Sequence, residues 1–449
     1  VPSGLNPSEK YLASLCRRTF LSLWSFSNVF RQPGSELCDL LVVCGDDIMI
    51  FSDKFCQYPD TGDGKLDWSR WFKRAVAASA KQLWGAEKWI RRDPDRVYVD
   101  SRCEKSLRVP IQINAQTRFH LILVAHGSAE ACEQAFHGSG SLIIDNKFKG
   151  IASHNQPFVV GDLNPAQTFI HVLDDFSLDV VLQTRDTISD FRDYLYKREK
   201  LLRSDFRIYA PGEEEMLAHF LKCLNADNEH DFVLPESKNE GYAFKQGIWT
   251  DFVANPQRLA QLEADRQSYF WDELIERFSI HTINDTQYYV SEGGYSDGEQ
   301  AIRFLGQETR FSRRVLSGSV LEMIFTTPGH LKRTRVLPGH DDALFYVVLL
   351  FPYDPKLYRN YDEYRETRRA FLTITTFVVR LMNPEAAHVV GIAIESGTRP
   401  TAFSEDLVYF DCSGWNQELE RQTIEDQQNL QILVSPKRFE VNFREYPDP

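Results

Sequence analysis

Two short apolar runs, Leu40-Leu41-Val42-Val43-Cys44 and Ile48-Met49-Ile50-Phe51, flank Gly45-Asp46-Asp47. Each run is apolar at odd and even positions alike, so a strand made from it has two faces to bury. A Gly-Asp turn between the two makes them a hairpin at the centre of a sheet. Such a sheet needs cover on both sides, and helices must supply it. Upstream, Ser8 follows Pro7 as a candidate N-cap, and 8–26 repeats Tyr11, Leu12, Leu15, Cys16, Thr19, Phe20, Leu23 and Trp24 at helical spacing. Downstream, 67–92 reads as a second long helix with Trp68, Trp71, Phe72, Ala75, Val76, Ser79, Gln82, Leu83, Ala86 and Ile90 on its inner face. Residues 118–126 then read as another buried strand and 129–136 as the helix after it. The fold class expected is α/β, with an N-terminal mixed sheet flanked by helices.

The rest of the chain changes character twice. Residues 138–185 look strand-like, with 158–160, 168–172 and 178–182 as strands. From 186 the pattern is helical, over 188–202, 213–224, 257–278 and 298–323. The last part alternates: strand 344–351, helix 361–382, strands 388–395 and 407–410, helix 415–433. Composition places divisions near 185 and 330, giving 1–185, a largely helical 186–330 and a C-terminal α/β region 331–449. With 43% hydrophobic residues in 449, the chain can bury a sizeable core.

A net charge of -13 argues against coating nucleic acid through bulk electrostatics, so any such site must be a local basic groove. Candidates to line one are Lys197 and Arg198 on one predicted helix, Arg313 and Arg314 on another, and Lys332 and Arg333 after a Pro-Gly turn; solvated surface is the alternative for each. The eight cysteines show no CxxC pair and no Cys/His cluster, which reads as buried thiols in a reducing cytoplasm and not as zinc ligands. The opening residues do not read as a signal peptide, and no apolar run is long enough to cross a bilayer, so a cytoplasmic protein without a membrane partner is expected. His137-Gly138-Ser139-Gly140-Ser141 is glycine-rich but lacks the P-loop lysine and reads as a structural turn. GxSxG is absent.

The chemistry sits on the hairpin. If it turns at Gly45-Asp46, residue 44 faces 47, and so on down to Asp39 opposite Ser52. Lys54, two positions further, projects from the same face as Ser52. Polar side chains at the end of an otherwise apolar hairpin need partners: one another, water or a metal. Asp39 and Lys54 could simply form a strand-end ion pair.

This constellation resembles the PD-(D/E)XK, or restriction-endonuclease-like, nuclease superfamily, in which an acid opens one core strand and an acid, any residue and a lysine lie on the next. Asp39 matches the first acid and Lys54 the lysine, while Ser52 stands where the second acid is usual. Glu9 on the upstream helix matches an additional acidic ligand, and Gln82 an auxiliary polar position. The resemblance spans about 8–136 and rests on the order of elements as well as the letters. It implies catalytic roles for Asp39, Ser52, Lys54 and Gln82, a Mg²⁺ or Mn²⁺ ion held by Asp39 and Glu9, and phosphodiester hydrolysis of DNA, or else RNA. Glu9 could equally be a first-turn acid favoured by the helix dipole. Residues 186–449 would recognise substrate or a protein partner. Proteins of this layout resemble effectors of prokaryotic anti-phage defence, such as the nuclease subunit of a short-Argonaute system. The alternative is a catalytically degenerate scaffold that binds nucleic acid or protein, because Ser52 brings no charge.

Overall fold

The structure, a computed structural model, describes residues 7–235, 241–284, 295–397, 404–439 and 441–449; for part of the first helix, Glu9 included, only the backbone is described. The chain packs as two compact units, Val1–Leu259 and Ala260–Pro449. Both are mixed α/β.

The first unit opens with α1 (Pro7–Trp24), then β1 (Ser25–Gln32), β2 (Ser35–Cys44) and β3 (Asp47–Phe55). Helices α2 (Gly64–Phe72) and α3 (Ala78–Arg92) are joined by a π-helical turn over Lys73–Ala77. They lead to β4 (Arg118–His126) and α4 (Ala129–Phe136), then β5 (Ile143–Lys149), β6 (Val159–Asp162) and β7 (Ile170–Leu173). Next come α5 (Asp175–Thr184), α6 (Ile188–Leu202), β8 (Arg207–Ala210), α7 (Glu213–Lys222), β9 (Gly241–Ala243) and α8 (Ile248–Val253). The central sheet runs β1-β2-β3-β4-β7. Strands β1 to β3 are antiparallel neighbours, and β4 lies parallel to both β3 and β7. A smaller sheet runs β6-β5-β8-β9. The hairpin has the register its turn predicts, from Cys44↔Asp47 to Leu40↔Phe51.

Both faces of β2 and β3 are covered, as their apolar runs require. Phe51 meets Phe20 of α1 at 5.9 Å and Phe191 of α6 at 6.3 Å between ring centroids. Burying a side chain of that size contributes about 2–3 kcal/mol, so α6 is part of this core. The change to helical composition near 186 is therefore not a division: α6 also sends Arg192 to Asp47 at 3.0 Å.

Three sequence expectations are corrected here. The first helix ends at Trp24, and Ser25–Gln32 forms an extra strand on β2; Ser25, Ser27 and Asn28 are weak helix formers placed where β2 offers an open edge. The span 178–182 is helical, because Asp174 and Ser177 form a capping box that starts α5 despite the adjacent valines. Gln82 is exposed. The buried stripe beyond the π turn passes through Ser79, Ala80, Leu83, Ala86, Glu87 and Ile90, with Gln82 just outside it.

The second unit begins within α9 (Pro256–Asp265) and continues through α10 (Tyr269–Ile283), α11 (Tyr295–Gly306) and α12 (Arg310–Thr326). After these come β10 (Arg333–Pro338), β11 (Leu344–Pro352), α13 (Tyr361–Met382), β12 (His388–Ser396), β13 (Glu405–Asp411) and α14 (Gln417–Leu430). Its sheet runs β10-β11-β12-β13, with α13 crossing between parallel β11 and β12. The helices belong to the same core as the sheet, since Tyr346 of β11 donates to Glu308 at 2.7 Å and stacks edge-on to Trp271 at 5.5 Å. No division falls near 330. Among the described residues no helix is long and apolar enough to cross a membrane.

Candidate functional site

Beyond the Leu40↔Phe51 pair the central hairpin forks: β2 continues along β1, while β3 continues along β4. The fork frees the N–H of Asp53 from the β2 ladder, and Asp39 takes it up. The Asp53 N–H donates to Asp39 Oδ2 at 2.6 Å. Asp39 is half-buried, Ser52 is buried and Lys54 is exposed. Strand parity puts Ser52 and Lys54 on one face and Asp53 on the other, with Phe51.

On that other face lies a cluster that the sequence reading does not name. Asp53 is buried, and its Oδ1 receives Nε2 of His126, the last residue of β4. The other ring nitrogen, Nδ1, meets Asp175 Oδ1 at 2.5 Å, at the start of α5. Asp175 Oδ2 accepts the Gly127 N–H at 3.0 Å. Burial acts against a charged imidazole, but the two carboxylates outweigh it and push His126 up to about 10. Burial likewise opposes ionisation of Asp175, yet His126 and the Gly127 N–H hold its carboxyl below the ordinary value. His126 is thus an imidazolium that fixes Asp53 from behind. Asp53 Oδ2, buried on the far side, has no hydrogen-bond partner among the described residues.

The chain's tight approach at this corner explains Gly127. Its φ is +93°, and a Cβ there would lie 2.4 Å from the Cys56 carbonyl oxygen. Gly127→Ala is expected to cost about 1–3 kcal/mol through backbone strain. Urea unfolding should show a lowered midpoint with an unchanged slope; an unshifted midpoint would mean that the corner is not held as described.

Among the described residues no group of three or more His, Cys, Asp or Glu is disposed to hold a metal. The Glu9 side chain lies outside the described residues. The fork still offers the Asp39 carboxylate, and on the other strand face Asp53 Oδ2 is buried with no hydrogen-bond partner among the described residues. Mg²⁺ is commonly bound by one or two carboxylates with waters and substrate phosphates completing its shell, so the donor set fits such an ion.

The basic candidates are mostly spoken for. Arg198 is buried against Glu213, with two contacts of 2.7 Å. Arg313 is fully buried and pairs with Asp272 at 2.6 Å, and Arg314 pairs with Asp265 at 3.0 Å. Lys197 sits between Asp193 at 3.0 Å and Glu229 at 3.3 Å and donates to the His230 carbonyl at 2.7 Å. Lys332 lies over the Phe371 ring, 3.7 Å from its centroid, and partial burial lowers its pKa. Arg333 reaches Thr326 Oγ1 at 2.8 Å. Helical spacing brought these cations together on paper, but carboxylates remote in sequence neutralise the first four within their own folds. They do not form an open basic groove. Among the described residues Cys38, Cys44, Cys132 and Cys412 are buried.

No protein-family model, curated protein or solved structure matches this chain. Its function has to be argued from the fork itself.

Proposed function

We propose that the first unit is a divalent-metal-dependent nuclease, acting on DNA in preference to RNA, with its site at the fork between β2 and β3. The observation that carries this reading is the Asp39 carboxylate, which accepts the Asp53 N–H at 2.6 Å at the strand end that also bears Lys54; Asp53 Oδ2, on the opposite strand face, is buried and has no hydrogen-bond partner among the described residues. A carboxylate oxygen withdrawn from water and left unmet is costly unless something positive reaches it. The order helix, antiparallel hairpin, helix, parallel strand supports the resemblance to PD-(D/E)XK nucleases.

In this reading Asp39 would hold the ion, and Asp53 would join it only by turning from the face that it shares with Phe51. When bound, the ion polarises the phosphate and acidifies a water. Lys54 stabilises charge that develops on the phosphate. His126 and Asp175 are positioning residues that keep Asp53 in place. Ser52 contributes no charge.

The test is incubation of the purified chain with plasmid, single-stranded DNA and RNA in Mg²⁺ or Mn²⁺, with EDTA beside it. Cleavage that EDTA abolishes is expected. A defence role rests on the resemblance: expression in a bacterial host should then lower phage plating, and Asp39→Asn should restore it. The second reading is a degenerate scaffold, favoured by the uncharged Ser52 and by the lack of a three-donor group among the described residues. Calorimetric titration with Mn²⁺ separates the two, since the scaffold binds no ion.

A further inference from the structure

The opening of α7 carries three adjacent acids, Glu213, Glu214 and Glu215, all buried, and they meet three different fates. Glu213 is neutralised by Arg198. Glu215 accepts the backbone N–H groups of Gly247 at 2.6 Å and Trp249 at 2.9 Å, which fixes the start of α8. Glu214 receives two neutral hydroxyls, Ser139 Oγ at 2.5 Å and Ser141 Oγ at 2.7 Å, both from the glycine-rich turn after α4, and its own backbone N–H, but no cation among the described residues. It lines a cavity of about 410 Å³, within the range of small-molecule sites. Phe136, Tyr209 and Trp249 supply aromatic wall, and among the described residues no Lys, Arg or His lines it.

We propose that this cavity binds an organic cation, an alkylammonium or guanidinium group, that donates to the Glu214 carboxylate and lies against the aromatic rings. Two hydroxyls and one backbone N–H leave acceptor capacity on a carboxylate with about four lone-pair sites. Aromatic faces attract such cations; the Phe136 and Tyr209 rings are exposed, while the carboxylate at the base is buried. The lining repels phosphate and carboxylate ligands, so the site differs from the fork in chemistry. Burial pushes the Glu214 carboxyl above its ordinary value although the serines act against it, which is the condition that a bound cation relieves. The glycine-rich turn is thus more than a connection: it delivers the two serines that aim the carboxylate.

The same chemistry could arrive as a free amine or as a side chain of a peptide. Calorimetric titration of the full chain with agmatine, spermidine and the peptide Gly-Arg-Gly distinguishes these sources, with 1-butanol as the uncharged control. Saturable binding of at least one cation and none of butanol is expected. Glu214→Gln keeps volume and an acceptor but removes charge, and should weaken binding about tenfold or more. Trp249→Ala should weaken it about threefold, and it decides the matter if the Gln variant does not fold. Agmatine or spermidine alone would identify a free-amine site, and the peptide alone a side-chain site. No saturable heat from any of the three, or affinity unchanged in both variants, would overturn the proposal.

Discussion

Asp39→Asn should lower metal-dependent cleavage by about a thousandfold while leaving the fold intact. The asparagine amide oxygen can still accept the Asp53 N–H that Asp39 accepts at 2.6 Å, so the fork keeps its anchor. The substitution removes the negative charge, and with it much of the affinity for a hard divalent ion. Removing one charge-stabilising group lowers rates by about 10²–10³ in comparable sites, and loss of the ion itself costs more. Asp39→Ala mixes two effects, since it also strands a backbone donor at a cost of about 1–3 kcal/mol. Lys54→Met is the complementary variant: Lys54 is exposed, so its thermal unfolding should match the wild type within about 0.5 kcal/mol while cleavage falls about a hundredfold. Cleavage by Asp39→Asn within about threefold of the wild type would remove Asp39 from the site and sink the nuclease reading.

How far the sequence anticipated this site depends on which interactions are local. The hairpin register is set by the Gly45-Asp46 turn and by side chains that alternate with period two, so Asp39, Ser52 and Lys54 could be placed at one strand end without coordinates. Strand β4 was legible for the same reason, as a buried run that ends in His126. A histidine closing an apolar strand is a signal that an acid waits nearby, but its two partners come from β3 and from the start of α5, about 50–70 positions away in sequence. Nothing periodic links them. Gln82 fails for a different reason: it borders the buried stripe through Ser79, Leu83, Ala86 and Ile90, and periodicity places an edge residue on either side of such a boundary. Strand β1 was hidden because a weak alternation is decided by the edge it pairs with, which is a tertiary fact. The basic clusters mislead because a helical pattern shows which cations are neighbours and not which carboxylates will meet them.

Arg198 makes that last point testable. Its guanidinium grips both oxygens of Glu213 at 2.7 Å, and Nη1 meets His171 Nδ1 at 3.2 Å. Tyr194 donates to the same Glu213 carboxylate at 2.5 Å. Burial and the neighbouring guanidinium hold His171 well below its ordinary pKa, so the imidazole stays neutral and accepts from Arg198. Arg198→Met removes the cation of the Arg198–Glu213 ion pair and, among the described residues, leaves the buried carboxylate to Tyr194. A loss of about 3–5 kcal/mol is expected, because breaking one partner of a buried pair leaves the other uncompensated. Urea unfolding should read it as a large fall in midpoint. Adding Glu213→Gln should recover part of that loss, with a coupling of about 1–3 kcal/mol, because the stranded charge is then gone. A phosphate contact would behave in the opposite way: stability would hold, and the salt dependence of nucleic-acid binding would lose about one unit of slope. Wild-type stability together with that loss of slope would return Arg198 to the surface and undo the assignment of α6 to the core of the first unit.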